Sequence, residues 1–314
     1  MLKLAAVLAL SLWPAAAAEK PGRTVAYDRG FGNSLPIYDN GYLFFITGPN
    51  SIEVWGPDGT LHFQTELTTP PGAHIMSAAV DGSGLVAVGV ALSAAPYGYQ
   101  GGIALIDGSG KELRFVETGR YMPAHVCFDT NHALWTFGWQ RDLVRNESED
   151  TEDYFLFRKY SLDGNQLGAY VQRSLFPRPG LAPGAASGGF WRLRASGGRI
   201  GAVGYSGRTS GNLEWIEVGL DGNLVGKWKI GRLSGGGMAF TAKSGLCRRS
   251  FQEEEHPVIQ CFDRMAQAWK TLGNMFANAE DPGMLLGADG DDLVFQSWES
   301  GGLRLSWVGL PGNY

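Results

Sequence analysis

The residues of this chain best suited to chemistry are two histidines, a set of arginines and one carboxylate-bearing loop. His74 and His125 occupy similar places in neighbouring sequence units. Together they would ligate a metal or serve as acid and base; apart, each would cap a strand or bond a backbone carbonyl. Arg120, Arg192 and Arg232 would make a basic rim for a carboxylate or sugar acid, or stand as solvated, salt-bridged groups. Asn278, Glu280 and Asp281 offer the oxygen ligands that a divalent cation takes. Tyr121, Trp191 and Arg178 adjoin the same loops. Tyr97 and Tyr99 sit in a Gly-containing loop and would stack on a sugar or peptide, or pack over the adjacent unit.

Other polar runs carry less. Glu147–Asp153 is strongly acidic but lacks the ligand spacing and turn glycine of a calcium loop, so it reads as a solvated loop. Glu253-Glu254-Glu255-His256 reads as an exposed loop tip. Asn146-Glu147-Ser148 is a glycosylation sequon, relevant only in a eukaryotic secretory pathway. The sequence contains no G-x-S-x-G run, Cys-x-x-Cys pair, P-loop or dinucleotide fingerprint, so nucleophilic and nucleotide chemistry have no motif behind them.

The frame that must position these residues is a repeat. In Ser77–Glu117, four short apolar segments are joined by Asp81-Gly82-Ser83-Gly84, a longer loop, and Asp107-Gly108-Ser109-Gly110. Asp-Gly turns between apolar runs are strong hairpin signals. The small residues closing each second strand are Gly48, Gly89, Gly138, Gly204, Ser250 and Ser297, spaced by 41 to 49 residues apart from one interval of 66. The long interval holds two extended loops, Gln140–Asp153 and Leu175–Phe190. A period in the forties with four strands per unit is that of propeller blades.

The sixth unit lacks its fourth strand, and a spare strand, Arg23–Tyr27, precedes the first unit. The spacing therefore predicts an all-β, six-bladed β-propeller in which the N-terminal strand completes the last blade and removes an open sheet edge. Alternation of connections puts the short Asp-Gly turns on one face. The other receives the long loops: Thr68–Ile75, Ser93–Gly101, Gly119–Ala124, Gln140–Asp153, Leu175–Phe190, Ser206–Asn212, Gly231–Gly237, Phe251–His256 and Gly273–Gly283. Binding is expected on that second face, near the channel mouth.

Pro123-Ala124-His125-Val126-Cys127-Phe128-Asp129, followed by Leu134-Trp135-Thr136-Phe137-Gly138, resembles an inner-strand hairpin of six-bladed NHL-like and TolB-like β-propellers. The resemblance covers most of the chain and rests on repeat grammar. Such proteins include binding modules, scaffolds and some hydrolases or lyases, and the resemblance brings no catalytic motif to this sequence.

Composition agrees with a filled all-β core. The chain has 314 residues, with Gly 46, Trp 10 and Phe 16, and the glycines sit in turn pairs. A net charge of −5 gives no overall attraction to nucleic acid or an anionic membrane. Lys3, the apolar run Leu4–Leu12 and Ala16-Ala17-Ala18 match an export signal. Residues 1–18 are expected to be a signal peptide and residues 19–314 a single propeller domain, periplasmic or extracellular. No later apolar run approaches the length of a membrane span.

Export would favour a disulfide between Cys247 and Cys261, which fall on the second and third strands of the fifth unit, with Cys127 a buried thiol. Three buried thiols is the alternative. Two functional readings remain. The first is an exported, non-enzymatic, monomeric propeller with no resident cofactor or metal. It would bind a protein or carbohydrate through its long-loop face, with Arg120, Tyr121, His125, Trp191, Arg192, Arg232 and His74 as contact residues. The second is a hydrolase or lyase holding a divalent cation at the channel mouth.

Overall fold

The computed structural model describes residues 23–29, 36–68, 70–94, 98–140, 153–175, 193–205, 213–231, 237–251, 257–272, 281–299 and 302–310. Strand β1 (Arg23–Tyr27) stands alone at the start. Blade 1 follows as β2 (Ile37–Asp39), β3 (Tyr42–Ile46), β4 (Ser51–Trp55) and β5 (Leu61–Glu66). Blade 2 is β6 (Ala73–Val80), β7 (Val86–Ala94), β8 (Gly98–Ile106) and β9 (Glu112–Gly119). Blade 3 is β10 (Tyr121–Phe128), β11 (Leu134–Gln140), β12 (Phe155–Tyr160) and β13 (Gln166–Gln172), then a 3-10 turn at Arg173–Leu175. Blade 4 is β14 (Leu193–Ser196), β15 (Arg199–Tyr205), β16 (Leu213–Gly219) and β17 (Leu224–Gly231). Blade 5 is β18 (Met238–Thr241), β19 (Gly245–Phe251), β20 (Pro257–Asp263) and β21 (Ala268–Thr271). Blade 6 is β22 (Met284–Asp289), β23 (Asp292–Glu299) and β24 (Gly302–Gly309), with β1 as its outer strand.

Each blade is one antiparallel four-stranded sheet, and the six stand in a ring: a six-bladed β-propeller. The closure expected from the spare N-terminal strand is present. β1 pairs antiparallel with β24, from Arg23 opposite Trp307 to Tyr27 opposite Leu303. Tyr27 is 1% exposed and joins Leu303, Leu305 and Trp307 in a cluster with Tyr38, Leu43 and Phe45 of blade 1. Gly59, at φ +85, turns the β4–β5 hairpin where a Cβ would run into the Ala26 carbonyl, so the closing strand and this turn require each other.

Among the described residues the buried apolar side chains fall into six clusters, one at each junction between neighbouring blades. This follows from strand alternation: successive residues of an inner strand face opposite neighbours. Ala78 packs toward blade 1 and Ala79 toward blade 3; Val126 packs toward blade 2 and Cys127 toward blade 4. The central strands therefore read as continuous apolar runs, because both their faces are covered.

Three expected loops are shorter than the sequence suggests. The segment Ser93–Gly101 continues the ladder, with Leu92 opposite Gln100 and Ala94 opposite Gly98, so β7 and β8 form a tall hairpin. Gly119–Ala124 shrinks to one residue, Arg120, between β9 and β10. Burial of the Tyr121 ring and a bulge between Met122 and His125 accommodate Pro123 within the strand. Thr68–Ile75 loses its last three residues to β6.

Cys247 and Cys261 lie directly opposite on β19 and β20 and are joined in a disulfide, while Cys127 is a buried free thiol. Their sequence separation of 14 closes a loop whose constraint on the unfolded chain contributes about 3 kcal/mol in the chain-entropy model. Thiol titration in denaturant without reductant should find one reactive thiol per chain, and three after reduction. Deleting residues 19–28 should cost more than the about 1.5–3 kcal/mol that burial of one large side chain contributes, since it also uncovers the β24 edge. Chemical denaturation of the truncated and full chains measures this, and unchanged stability would show that β1 is not the closing element.

Candidate functional site

Inner strands β2, β6, β10, β14, β18 and β22 surround the central channel, each next to its sequence neighbour and β22 next to β2. β2 and β14 are thus on opposite sides. From β14, Arg194 reaches across to blade 1: Nη1 lies 3.5 Å from Asp39 Oδ1, and Nη2 donates to the Tyr38 carbonyl. Asp39 also accepts from the Val80 backbone at 2.9 Å, and Asn40 donates to the Val80 carbonyl at 2.8 Å. Burial pushes the Asp39 carboxyl above its ordinary range, against the pull of Arg194 and the Val80 N–H. Arg194 therefore bars the channel toward its short-turn end. Cys127 lies within the influence of Asp39 and Arg194, but burial holds its thiol well above the ordinary range, which makes it a poor nucleophile.

The short-turn face is occupied with its own structure. Asp81 Oδ1 accepts from the Ser83 and Leu85 backbones and the Ser83 hydroxyl; Asp107 accepts from Ser109 and Lys111 in the same way. Asp129 repeats the pattern with Asn131 and Ala133, and its Oδ2 accepts from Trp135 Nε1 at 2.9 Å. On the same side, polar bonds cross every junction. Arg23 donates to the Pro57 carbonyl, Asp39 accepts from Val80, and His132 Nδ1 lies 3.3 Å from Asp81 Oδ2. Lys159 donates to the Leu220 carbonyl, Arg264 donates to Glu217, and Lys243 Nζ lies 3.1 Å from Asp291 Oδ2.

The opposite end of each strand set carries the expected site residues, and the structure separates them. Arg120 is exposed at the start of β10. Tyr121 is buried: its hydroxyl donates to the Leu156 carbonyl at 2.8 Å and lies 3.1 Å from Thr136 Oγ1, and the Arg158 guanidinium sits 4.0 Å over its ring. Burial raises its phenol far above the ordinary value. His125 is 3% exposed and stacks on Phe137. His74 is exposed on β6.

Counting back from the turn aspartates Asp81 and Asp129, His74 stands three positions further up its strand than His125 does, a height difference of about 10 Å. Asp281 pairs with the buried Arg249 at 2.6 Å. Among the described residues no three His, Cys, Asp or Glu gather at one point. Trp191, Arg192, Arg178, Arg232, Asn278, Glu280 and Tyr97 lie outside the described residues, as does the side chain of Tyr99.

Sequence reasoning passed over Asp39, Arg194, Arg173 and Glu214. The one local signal was a charge inside an inner-strand run, as in Leu193-Arg194-Ala195 and Leu213-Glu214-Trp215; no spacing rule joins residues half a ring apart.

No family model matches the sequence, and no curated protein matches it. Among solved structures the chain is similar to a gluconolactonase from Xanthomonas campestris at 13% identity and TM-score 0.48, covering 95% of this chain and 99% of that one. It is similar to the soluble aldose sugar dehydrogenase of Escherichia coli at 9% identity and TM-score 0.46, covering 88% and 97%. It is also similar to the Pan2 WD40 domain of Neurospora crassa at 9% identity and TM-score 0.47, covering 93% and 95%. Likenesses this distant concern the propeller arrangement and pass no residue role to this chain.

The turn aspartates give the fold an acid limit. The Thr60 backbone and hydroxyl hold Asp58 below the ordinary carboxylate value; the Ser109 hydroxyl and the Lys111 backbone do the same for Asp107. The Asn223 backbone and side chain lower Asp221, and Lys270 with the Ala266 and Met265 backbones lowers Asp263 to about 2. A carboxyl whose folded pKa lies below its unfolded value of about 3.9 stabilises the fold above that value, and the contribution is lost as pH falls through the folded pKa. Asp39 and Glu112, both raised by burial, have the opposite sign, two groups against several lowered ones. The melting temperature should therefore fall between about pH 4 and pH 2, and Asp107→Asn should flatten that fall. A melting temperature that holds level or rises down to pH 2 would contradict the assignment.

Proposed function

We propose that the protein is an exported, non-enzymatic propeller that binds a protein or glycan through its long-loop face. The observation carrying this reading is the state of the other face, where turn carboxylates are engaged by their own backbones and polar bonds cross all six junctions. Side chains committed to turn geometry and blade contacts leave little variable surface for recognition. The long connections all leave from the opposite ends of the strands, and binding residues concentrate on loops held by a rigid scaffold. Arg120 is exposed there, and Trp191 precedes β14 by two residues in sequence. Arginine beside aromatic residues is the composition enriched at binding hot spots.

Export is supported by the disulfide, which persists in oxidising compartments, together with the signal-like residues 1–18. The protein works as a monomer of the NHL-like or TolB-like kind, with residues 19–314 as its mature form.

A co-purification or array screen with the mature protein supplies a partner for the test. Arg120→Ala and Trp191→Ala should each weaken that partner by about 1–2 kcal/mol or more. Changes in the Asp58-Gly59 and Asp221-Gly222 turns should lower stability and leave affinity per folded molecule unchanged. Binding kept in both loop-face variants and lost in folded turn variants would place the site on the other face.

A further inference from the structure

Among the described residues eight large apolar side chains are exposed, and four of them, Phe155, Leu167, Leu175 and Leu224, border one junction, between blades 3 and 4. The outer strands of neighbouring blades diverge from the channel, so a furrow opens between β13 and β17. At its short-turn end, Leu167 of blade 3 is 55% exposed and Leu224 of blade 4 is 42% exposed. Leu167 is the extra residue of a bulge beside Gly168, whose partner Lys159 reaches the Leu220 carbonyl of blade 4. Tyr170 floors this end. Its ring stacks on Trp135 at 5.3 Å, and a Cβ on Gly168 or on Gly222 of the blade 4 turn would run into it. Toward the other end, Lys227 donates to the Leu175 carbonyl at 2.7 Å and ties the two lips together.

The furrow is basic as well as apolar. On β17, Leu224 stands opposite Val218 and Lys227 opposite Ile216, and both of those partners pack against blade 3. Alternation puts Lys229 on the same side as Lys227. Lys229 is exposed and makes no ion pair among the described residues. Asp221 and Asp153, at the two ends, are engaged by Asn223 and Ser174. The whole chain carries −5, so two lysines beside an apolar strip are a local reversal of its charge.

Size and charge narrow the occupant. Four side chains about half exposed, with Tyr170 between them, present on the order of 400 Å², the size of a functional patch. Each partner in a standard protein interface buries about 800 Å², so the furrow is small for a second copy of the chain. A short segment that lays apolar side chains between the lips and sets carboxylates on the lysines matches both its size and its charge.

We propose that the furrow between β13 and β17 is a docking groove for an acidic amphipathic segment of a partner protein. The apolar side chains of that segment rest on Leu167, Tyr170 and Leu224, and its carboxylates meet Lys227 and Lys229. The groove lies on the outer side of the ring and does not depend on the long-loop reading.

The test is fluorescence anisotropy on the mature protein with the labelled acidic peptide EALEELLEALEE and its basic counterpart KALKKLLKALKK. The acidic peptide should bind, more tightly at low salt, and the basic one at least about tenfold more weakly. Leu167→Gln and Leu224→Gln should each weaken the acidic peptide about fivefold. Lys229→Glu should weaken it by about the same factor and strengthen the basic one. Leu61→Gln, at the blade 1 counterpart of Leu224, should change nothing. The proposal fails if the acidic peptide does not bind the wild type, if the three groove variants bind it as the wild type does, if Leu61→Gln weakens it equally, or if the basic peptide binds as tightly. Cosedimentation with phosphatidylglycerol-containing vesicles that Leu224→Gln abolishes would give the groove to a lipid surface. A concentration-dependent dimer abolished by the same change would give it to a second copy. Either result would overturn the proposal.

Discussion

Everything in this molecule depends on the ladder between β1 and β24. Five blades are built from consecutive strands, and the sixth is built from the two ends of the chain. Without β1, β24 would present a bare edge, and the blade 6–blade 1 cluster would lose Tyr27, one of its largest fully buried side chains. Each blade has two apolar faces and so needs two neighbours. An open ring leaves two faces wet, so closing it covers both at once and restrains all six blades. The packing of Arg23 over Trp307 at 4.5 Å and its bond to the Pro57 carbonyl tie the closing strand to both blades it joins.

Closure constrains where polar groups can be placed. Inner strands expose an unpaired edge to the channel, and its carbonyls need donors. Arg194 meets that need at Tyr38 from the far side of the ring, with Asp39 as counter-charge. Asp39 in turn holds Val80 of blade 2, so one guanidinium connects three blades. Burial costs the pair much of its Coulombic gain, and the raised Asp39 carboxyl is the visible sign of that cost. What the pair supplies is position: it fixes inner strands on opposite sides of the channel at the end where the turns are shortest.

The parts of the fold that sequence made legible are those fixed by local rules. Asp-Gly turns, two-residue alternation and the missing sixth-unit strand each have a physical cause acting within a few residues, and each led to the right element. The cysteine pair was legible because strand register follows from turn length. The site was less so. His125 and Tyr121 look like mouth residues because they follow a loop, yet a one-residue connection at Arg120 draws Tyr121 into the blade, where Leu156 and Thr136 engage its hydroxyl. That outcome depends on the pocket beside Gly138, where a Cβ would meet the Tyr121 hydroxyl, and no short-range pattern encodes it. Arg194 and Asp39 are 155 residues apart in sequence and meet only because six blades close a ring.

The two faces thus divide the work for a physical reason. A turn that fixes its own carboxylate gains rigidity and gives up the side chain as a recognition group. Asp58, Asp81, Asp107, Asp129, Asp221 and Asp263 all do this, and all lie on one face. In blade 4, Glu217 on β16 is met by Trp215, Arg199 and Arg264, whereas for Oε2 of Glu214, three residues nearer the loops on the same strand, the described residues supply no donor. The two carboxylates also lie on opposite faces of the sheet, Glu217 toward blade 5 and Glu214 toward blade 3. Glu217, held by donors from its own strand, from the neighbouring strand β15 and from blade 5, belongs to the scaffold.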